Sequence, residues 1–170
     1  MFTPEITSLA TRVIEVLVAH DDTIATAESC TGGLIAGALT AIPGSSDVVY
    51  GGYVTYANAA KVRMIDVPQN ILDQHGAVSA QTARAMANGA LKASGADIAI
   101  AVTGIAGPTG GSPQKPIGLV YLGCATSSET YHIEMKFGDL GRDGIREATI
   151  VAALGMVLDI ERYAQARLPK

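Results

Sequence analysis

Hydrophobic positions first repeat with a helical period near the N-terminus. Ile6, Leu9, Val13, Val16 and Leu17 form one stripe, with Thr3 placed as a cap and Pro4 at the first helical position. His20-Asp21-Asp22 ends the stripe. Residues 23–28 (TIATAE) then read as a short strand, and 34–42 as a small apolar helix stopped by Pro43-Gly44. Residues 48–56 (VVYGGYVTY) read as a strand whose glycine pair suggests a bulge or a close backbone approach. A helix is predicted over 58–66 with Asn58 as its cap. A short helical turn follows from Pro68 to about Gly76. Ser79 caps a clear helix, Ala80 to Ser94, which Gly95 closes.

The second half opens on a short apolar strand, 97–103 (DIAIAVT), which runs into a loop dense in glycine and proline, 104–116. Two further strands, 117–126 and 129–137, are joined by Ser127-Ser128 as a hairpin. In the second of them Tyr131, Ile133, Met135 and Phe137 alternate with His132, Glu134 and Lys136, the pattern of a half-exposed or edge strand. A long helix is predicted from about Arg142 to Arg167, apolar almost all round over 148–158 and therefore buried. Helices interleaved with strands, plus one hairpin, predict an α/β fold: a three-layer α/β/α sandwich on a mixed β-sheet, as one domain over 1–170.

Composition narrows the class. The chain is 48% hydrophobic and 16% charged, with a net charge of −4, so disorder is excluded and no basic footprint for nucleic acid or an anionic membrane is present. The longest apolar run, Ile150 to Leu158, falls short of the roughly 18 residues of a membrane span. The first twenty residues lack a basic region and carry Glu5, unlike a signal peptide. Two cysteines, Cys30 and Cys124, make no disulfide framework, and a cytoplasmic location is expected. The three histidines are scattered and no metal-ligand spacing occurs, so neither a metal nor a cofactor is expected.

Two loops carry candidate chemistry. Ser29-Cys30-Thr31-Gly32-Gly33 lies between a strand and a helix, where free N–H groups favour negative charge. Ser29 there is either a nucleophile with those N–H groups as an oxyanion hole, or, like Thr31, simply a helix cap. Cys30 is a candidate nucleophile in isolation, though no histidine is visibly placed beside it, and such a cysteine is more often a small buried residue. The second loop, Thr103-Gly104-Ile105-Ala106-Gly107-Pro108, follows a strand, where open α/β sheets place ligand loops. It is not a dinucleotide fingerprint. It either admits a ligand close to the backbone or merely turns. Lys61 and Tyr56 have ordinary solvated or packing roles as alternatives. Arg142 and Arg146 open the last helix, an unfavourable place for cations that hints at an anionic partner, although pairing with Asp139 or Asp143 explains them nearly as well.

The runs TAESCTGG, PGSSDVVYGGYVTYANAAK, HGAVS and VTGIAGPTGGSPQKPIGLVY, with the R-x-x-x-R start of the last helix, resemble the CinA C-terminal domain family in order and over nearly the whole chain. Members of that family can carry a further N-terminal domain similar to a molybdopterin-binding fold, and the match covers the amidase part. The resemblance implies hydrolysis of the carboxamide of nicotinamide mononucleotide to nicotinate mononucleotide and ammonia, and a homodimer. It assigns Ser29 as nucleophile, Lys61 as general base and Tyr56 as a catalytic neighbour in the site, with the Ser29 proton passing to Lys61 directly or through Tyr56. Substrate contacts are expected from Cys30, Thr31, Gly32, Thr103, Gly104, Gly107 and Arg142. Arg146 is the alternative to Arg142, because this chain places Leu140-Gly141 between Asp139 and Arg142 where many members read Gly-Asp-Arg directly, and Lys115 is a further candidate for phosphate or a subunit contact. A different class of function, a non-catalytic nucleotide-binding or regulatory module, fits the same fold.

Overall fold

The computed structural model describes residues 2–160. Its elements run α1 (Pro4–His20), β1 (Ile24–Glu28), α2 (Leu34–Thr40), β2 (Val49–Val54), α3 (Asn58–Ile65), α4 (Gln69–His75), α5 (Ala80–Ser94), β3 (Ile98–Gly104), β4 (Leu119–Thr126), β5 (Thr130–Lys136) and α6 (Gly141–Leu158). The five strands form one sheet in the order β2-β1-β3-β4-β5. β2, β1 and β3 are parallel, and β3-β4 and β4-β5 are antiparallel, so the sheet is mixed.

Helices α1, α2 and α6 cover one face with Leu17, Ile35, Leu39, Ile150 and Leu154. Helices α3, α4 and α5 cover the other with Ile65, Leu72, Met86 and Ala90. These layers are the expected three-layer sandwich. β1 and β3 are buried almost throughout, as strands covered on both faces must be. β5 is the far edge strand and alternates between half-buried and exposed positions, as its sequence predicts.

Local signals place most boundaries. The Thr3 hydroxyl accepts from the Ile6 amide at the start of α1, and the Ser79 hydroxyl accepts from Thr82 at the start of α5. Two helix ends differ from expectation. Asn58 is the first residue of α3 rather than its cap, which is Ala57 with no side-chain bond. Helix α6 ends at Leu158 rather than near Arg167, and the part of that prediction beyond Ile160 lies outside the described residues. Among the described residues no helix is long and apolar enough to cross a membrane.

Of the glycine pair in β2, Gly52 has the close-approach role its position suggested, while Gly51 faces open space. A Cβ on Gly52 would sit 2.8 Å from the Thr26 hydroxyl and 2.9 Å from the Ala36 Cβ, so α2 can lie down on β1 and β2 only because Gly52 is bare. The register between β1 and β2 also shifts at this point, between Ile24 and Ala25.

Candidate active site

The chain leaves β1 to one side, through α2 to β2, and returns to the other side at β3. The carboxyl ends of β1 and β3 therefore adjoin at a reversal of strand order, the place where open α/β sheets bind ligands. The Ser29 amide donates to the Val102 carbonyl at 3.0 Å and locks the two ends together. Glu28 pairs with Val54 on one side and Val102 on the other, so the loops after β1, β2 and β3 emerge at one level.

Lys61 enters this level from α3. It is fully buried, at 0% exposure, beneath the β2–α3 turn. Its Nζ lies 3.2 Å from the Ser29 Oγ, 2.8 Å from the Thr55 carbonyl and 3.3 Å from the Tyr56 carbonyl. None of these partners carries a charge. Burial therefore pushes the Lys61 pKa down from the ordinary 10.5, against a smaller opposing pull from Cys30. Residues 32 apart in sequence meet because β2 returns the chain beside β1 and α3 folds back under the turn.

The Ser29–Gly33 turn is not built as its spacing suggested. Neither Ser29 nor Thr31 caps α2. The cap is Gly33, in the left-handed region at φ 97° and without a side-chain bond. The Glu28 carboxylate takes that role instead, accepting from the Gly33, Ile35 and Ala36 amides. The Gly32 amide is spent on the Ser29 carbonyl. The amides left in the turn are those of Cys30 and Thr31, which face the weakly accepting Cys30 sulfur. The Thr31 side chain is fully buried and donates to Glu28 at 2.6 Å, so any contact of Thr31 with a ligand is left to its backbone. Glu28 was the residue that sequence reasoning passed over. Its signal was present: an acid ending a short strand of small residues just before a helix N-terminus.

Cys30 is 6% exposed, and burial pushes its thiol up to about 11. A thiol in that state is a poor nucleophile, so the geometry favours Ser29 over Cys30. Iodoacetamide at pH 8 is expected to leave the native chain unmodified and to add two carbamidomethyl groups in denaturant, read by intact mass. Rapid native modification of Cys30 would reinstate the thiol as a candidate.

Around the Ser29–Lys61 contact the other candidates fall into separate groups. The Tyr56 hydroxyl is not interposed between Ser29 and Lys61. It accepts from Arg142 Nη2 at 3.3 Å, while Arg142 Nη1 donates to the Gly107 carbonyl at 2.9 Å. Arg142 thus bridges the β2–α3 turn and the glycine-rich loop. Arg146, one turn further along α6, donates to the Thr31 carbonyl at 2.9 Å. Both arginines reach the site level, Arg142 at its exposed rim and Arg146 against the Ser29–Gly33 turn.

Thr103 is buried and donates to the Ala77 carbonyl at 2.7 Å, anchoring the α4–α5 connection beside the end of β3. Gly104 is required by packing, since a Cβ there would meet Val120 Cγ2 at 2.6 Å. Lys115 donates to the His75 and Val78 carbonyls and ties the glycine-rich loop to the same connection. Among the described residues no three His, Cys, Asp or Glu side chains gather as metal ligands.

Residues 6–160 match the family model of the CinA C-terminal domain. The chain is 48% identical over 155 residues to a nicotinamide-nucleotide amidohydrolase PncC of Pseudomonas putida, covering 91% of this chain and 96% of that protein. It is 48% identical over 151 residues to a CinA-like protein of Synechococcus sp. (strain RCC307), but spans only 36% of that longer protein. Its fold superposes on the crystal structure of the competence/damage inducible protein CihA from Agrobacterium tumefaciens with a TM-score of 0.91 and 52% identity, covering 93% of this chain and 96% of that one.

Proposed function

The chain belongs to the CinA C-terminal domain family, and from that membership and the site geometry we propose that it hydrolyses the carboxamide of nicotinamide mononucleotide to nicotinate mononucleotide and ammonia. The observation that carries the chemistry is the contact between Lys61 Nζ and Ser29 Oγ, with the amine in a site that disfavours its charge.

A neutral lysine has two N–H bonds and one lone pair. The Thr55 and Tyr56 carbonyls accept the two hydrogens, which leaves the lone pair for the Ser29 hydroxyl proton. Lys61 takes that proton as the Ser29 Oγ attacks the amide carbon. The oxyanion that forms is met by the Cys30 and Thr31 amides, which exchange a weak sulfur contact for a strong one. Each such donor is worth about 3–4 kcal/mol in the barrier. Lys61 returns the proton to the leaving nitrogen, the C–N bond breaks, and ammonia departs from a nicotinoyl ester on Ser29. Water, deprotonated by the same amine, then cleaves the ester and restores the serine.

The substrate phosphate finds a planar donor in Arg142, whose guanidinium stands at the exposed rim between Tyr56 and Gly107. Thr103, Gly104 and Gly107 line the neighbouring strand end and complete the substrate side. Two copies of the chain acting as a homodimer, in the cytoplasm, complete the proposal.

Ammonia release from nicotinamide mononucleotide by the purified chain tests it. Release is expected in wild type, unchanged by a chelator, and lowered by about 10³-fold or more in Ser29→Ala. Folded wild type without release would remove the substrate assignment and leave the binding-module reading.

A further inference from the structure

We propose that Glu28 is a positioning residue that holds both members of the Ser29–Lys61 dyad without touching substrate. This rests on the reading of Ser29 as nucleophile.

Glu28 is 1% exposed, at the end of a strand buried on both faces. A carboxylate so placed is costly unless every lone pair is met. Here five donors converge on it. Oε1 accepts from the Thr26 hydroxyl at 3.2 Å and the Ala36 amide at 2.8 Å. Oε2 accepts from the Thr31 hydroxyl at 2.6 Å and from the Gly33 and Ile35 amides, each at 3.0 Å. Three of the five contacts are backbone amides, which can only donate, and the two hydroxyls complete the set around the acid. The donors come from β1, from the turn and from the first turn of α2, so one side chain ties three consecutive pieces of chain together.

Ser29 and Cys30 are the only residues between Glu28 and Thr31, and the bond from Thr31 to the carboxylate closes the chain over them. Arg146 grips the carbonyl of the same Thr31 from α6. The main chain of Glu28 acts on the other partner. Its carbonyl accepts from the Thr55 amide at 2.8 Å, and the Thr55 carbonyl in turn accepts from Lys61 Nζ. The side chain of Glu28 therefore sets the nucleophile turn, and its backbone sets an acceptor of the base. The carboxylate also occupies the amides at the start of α2, so a substrate anion is excluded from that helix end.

The test uses the full chain and a fluorophosphonate probe, which reacts with an activated serine whatever the natural substrate. Its rate of attachment to Ser29 is read by intact mass, alongside the melting temperature and circular dichroism. Glu28→Gln keeps the shape but turns an NH2 group towards the Thr26 hydroxyl and the Ala36 amide. Labelling is expected to slow by about ten- to a hundredfold in folded Glu28→Gln, the cost of a misplacement of ~1 Å. With nicotinamide mononucleotide, kcat should fall by a similar factor while KM holds within about twofold, with circular dichroism showing a folded fraction equal to wild type so that loss of stability does not account for the change.

Where Glu28→Gln fails to fold, Thr31→Val removes only the shortest of the five contacts, and several-fold slower labelling is expected. Labelling of the folded variant at the wild-type rate overturns the proposal. Wild type that is not labelled at Ser29 overturns the nucleophile reading itself, and this proposal with it.

Discussion

A Lys61→Met variant is expected to lose kcat by about 10²–10⁴-fold, the usual contribution of a general base, while remaining folded. The thioether occupies a fully buried site without the cost of burying an ammonium group. The pH profile sharpens the test. Burial holds the Lys61 pKa below 10.5, and only the neutral amine can accept the Ser29 proton. Wild-type kcat/KM should therefore rise with pH through that lowered pKa and then level off, and the rise should vanish in Lys61→Met. Stability carries the same signature. Between the lowered pKa and 10.5 the unfolded chain binds a proton at Lys61 that the folded chain has released, so raising the pH through this window favours folding. The stability difference between wild type and Lys61→Met should accordingly move in favour of wild type as the pH approaches 10.5. A wild-type profile that falls with rising pH would remove Lys61 from the role of base.

The Gly89→Ala variant should be destabilised and, in addition, impaired in catalysis. In a helix interior alanine ordinarily gains about 1 kcal/mol over glycine. Here its Cβ would fall on the Ile65 carbonyl group of α3, because α5 and α3 cross backbone to backbone at Gly89. Relief requires α3 to move, and overpacking of this kind costs about 1–3 kcal/mol. For a domain of this size a loss of 2 kcal/mol lowers Tm by roughly 4–8 °C. Ile65 lies one helical turn beyond Lys61 on α3, so the same displacement draws the amine from Ser29. A reduced kcat in folded protein at low temperature is the second readout. A Tm equal to or above wild type would show that the two helices do not approach so closely.

Helices α1 and α5 were legible because their signals are local. Thr3-Pro4 and Ser79 start them, and Gly95 ends α5, through bonds that span three or four residues. The alternation in β5 marked its half-exposed face for the same reason. Residue types also pointed to two loops that the structure brings to one level, since a serine at a strand-to-helix junction and a glycine-rich run after a strand are unusual on any fold. Where those side chains point was not legible. The Ser29 turn reads as a helix cap unless the neighbouring Glu28 is given that role, and the structure shows its carboxylate taking the α2 amides and freeing the serine.

The strand order, the meeting of Ser29 with Lys61, and the reach of Arg142 to Gly107 and of Arg146 to Thr31 are settled by topology. Each of these side-chain contacts joins residues separated by 32, 35 or 115 positions. Capping and periodicity act over one or two turns, so the sequence by itself determined the elements and the chemical types on their loops. Pairing across the sheet acts over any separation, and it alone decided which of those loops share a site and which amine is buried beside which hydroxyl.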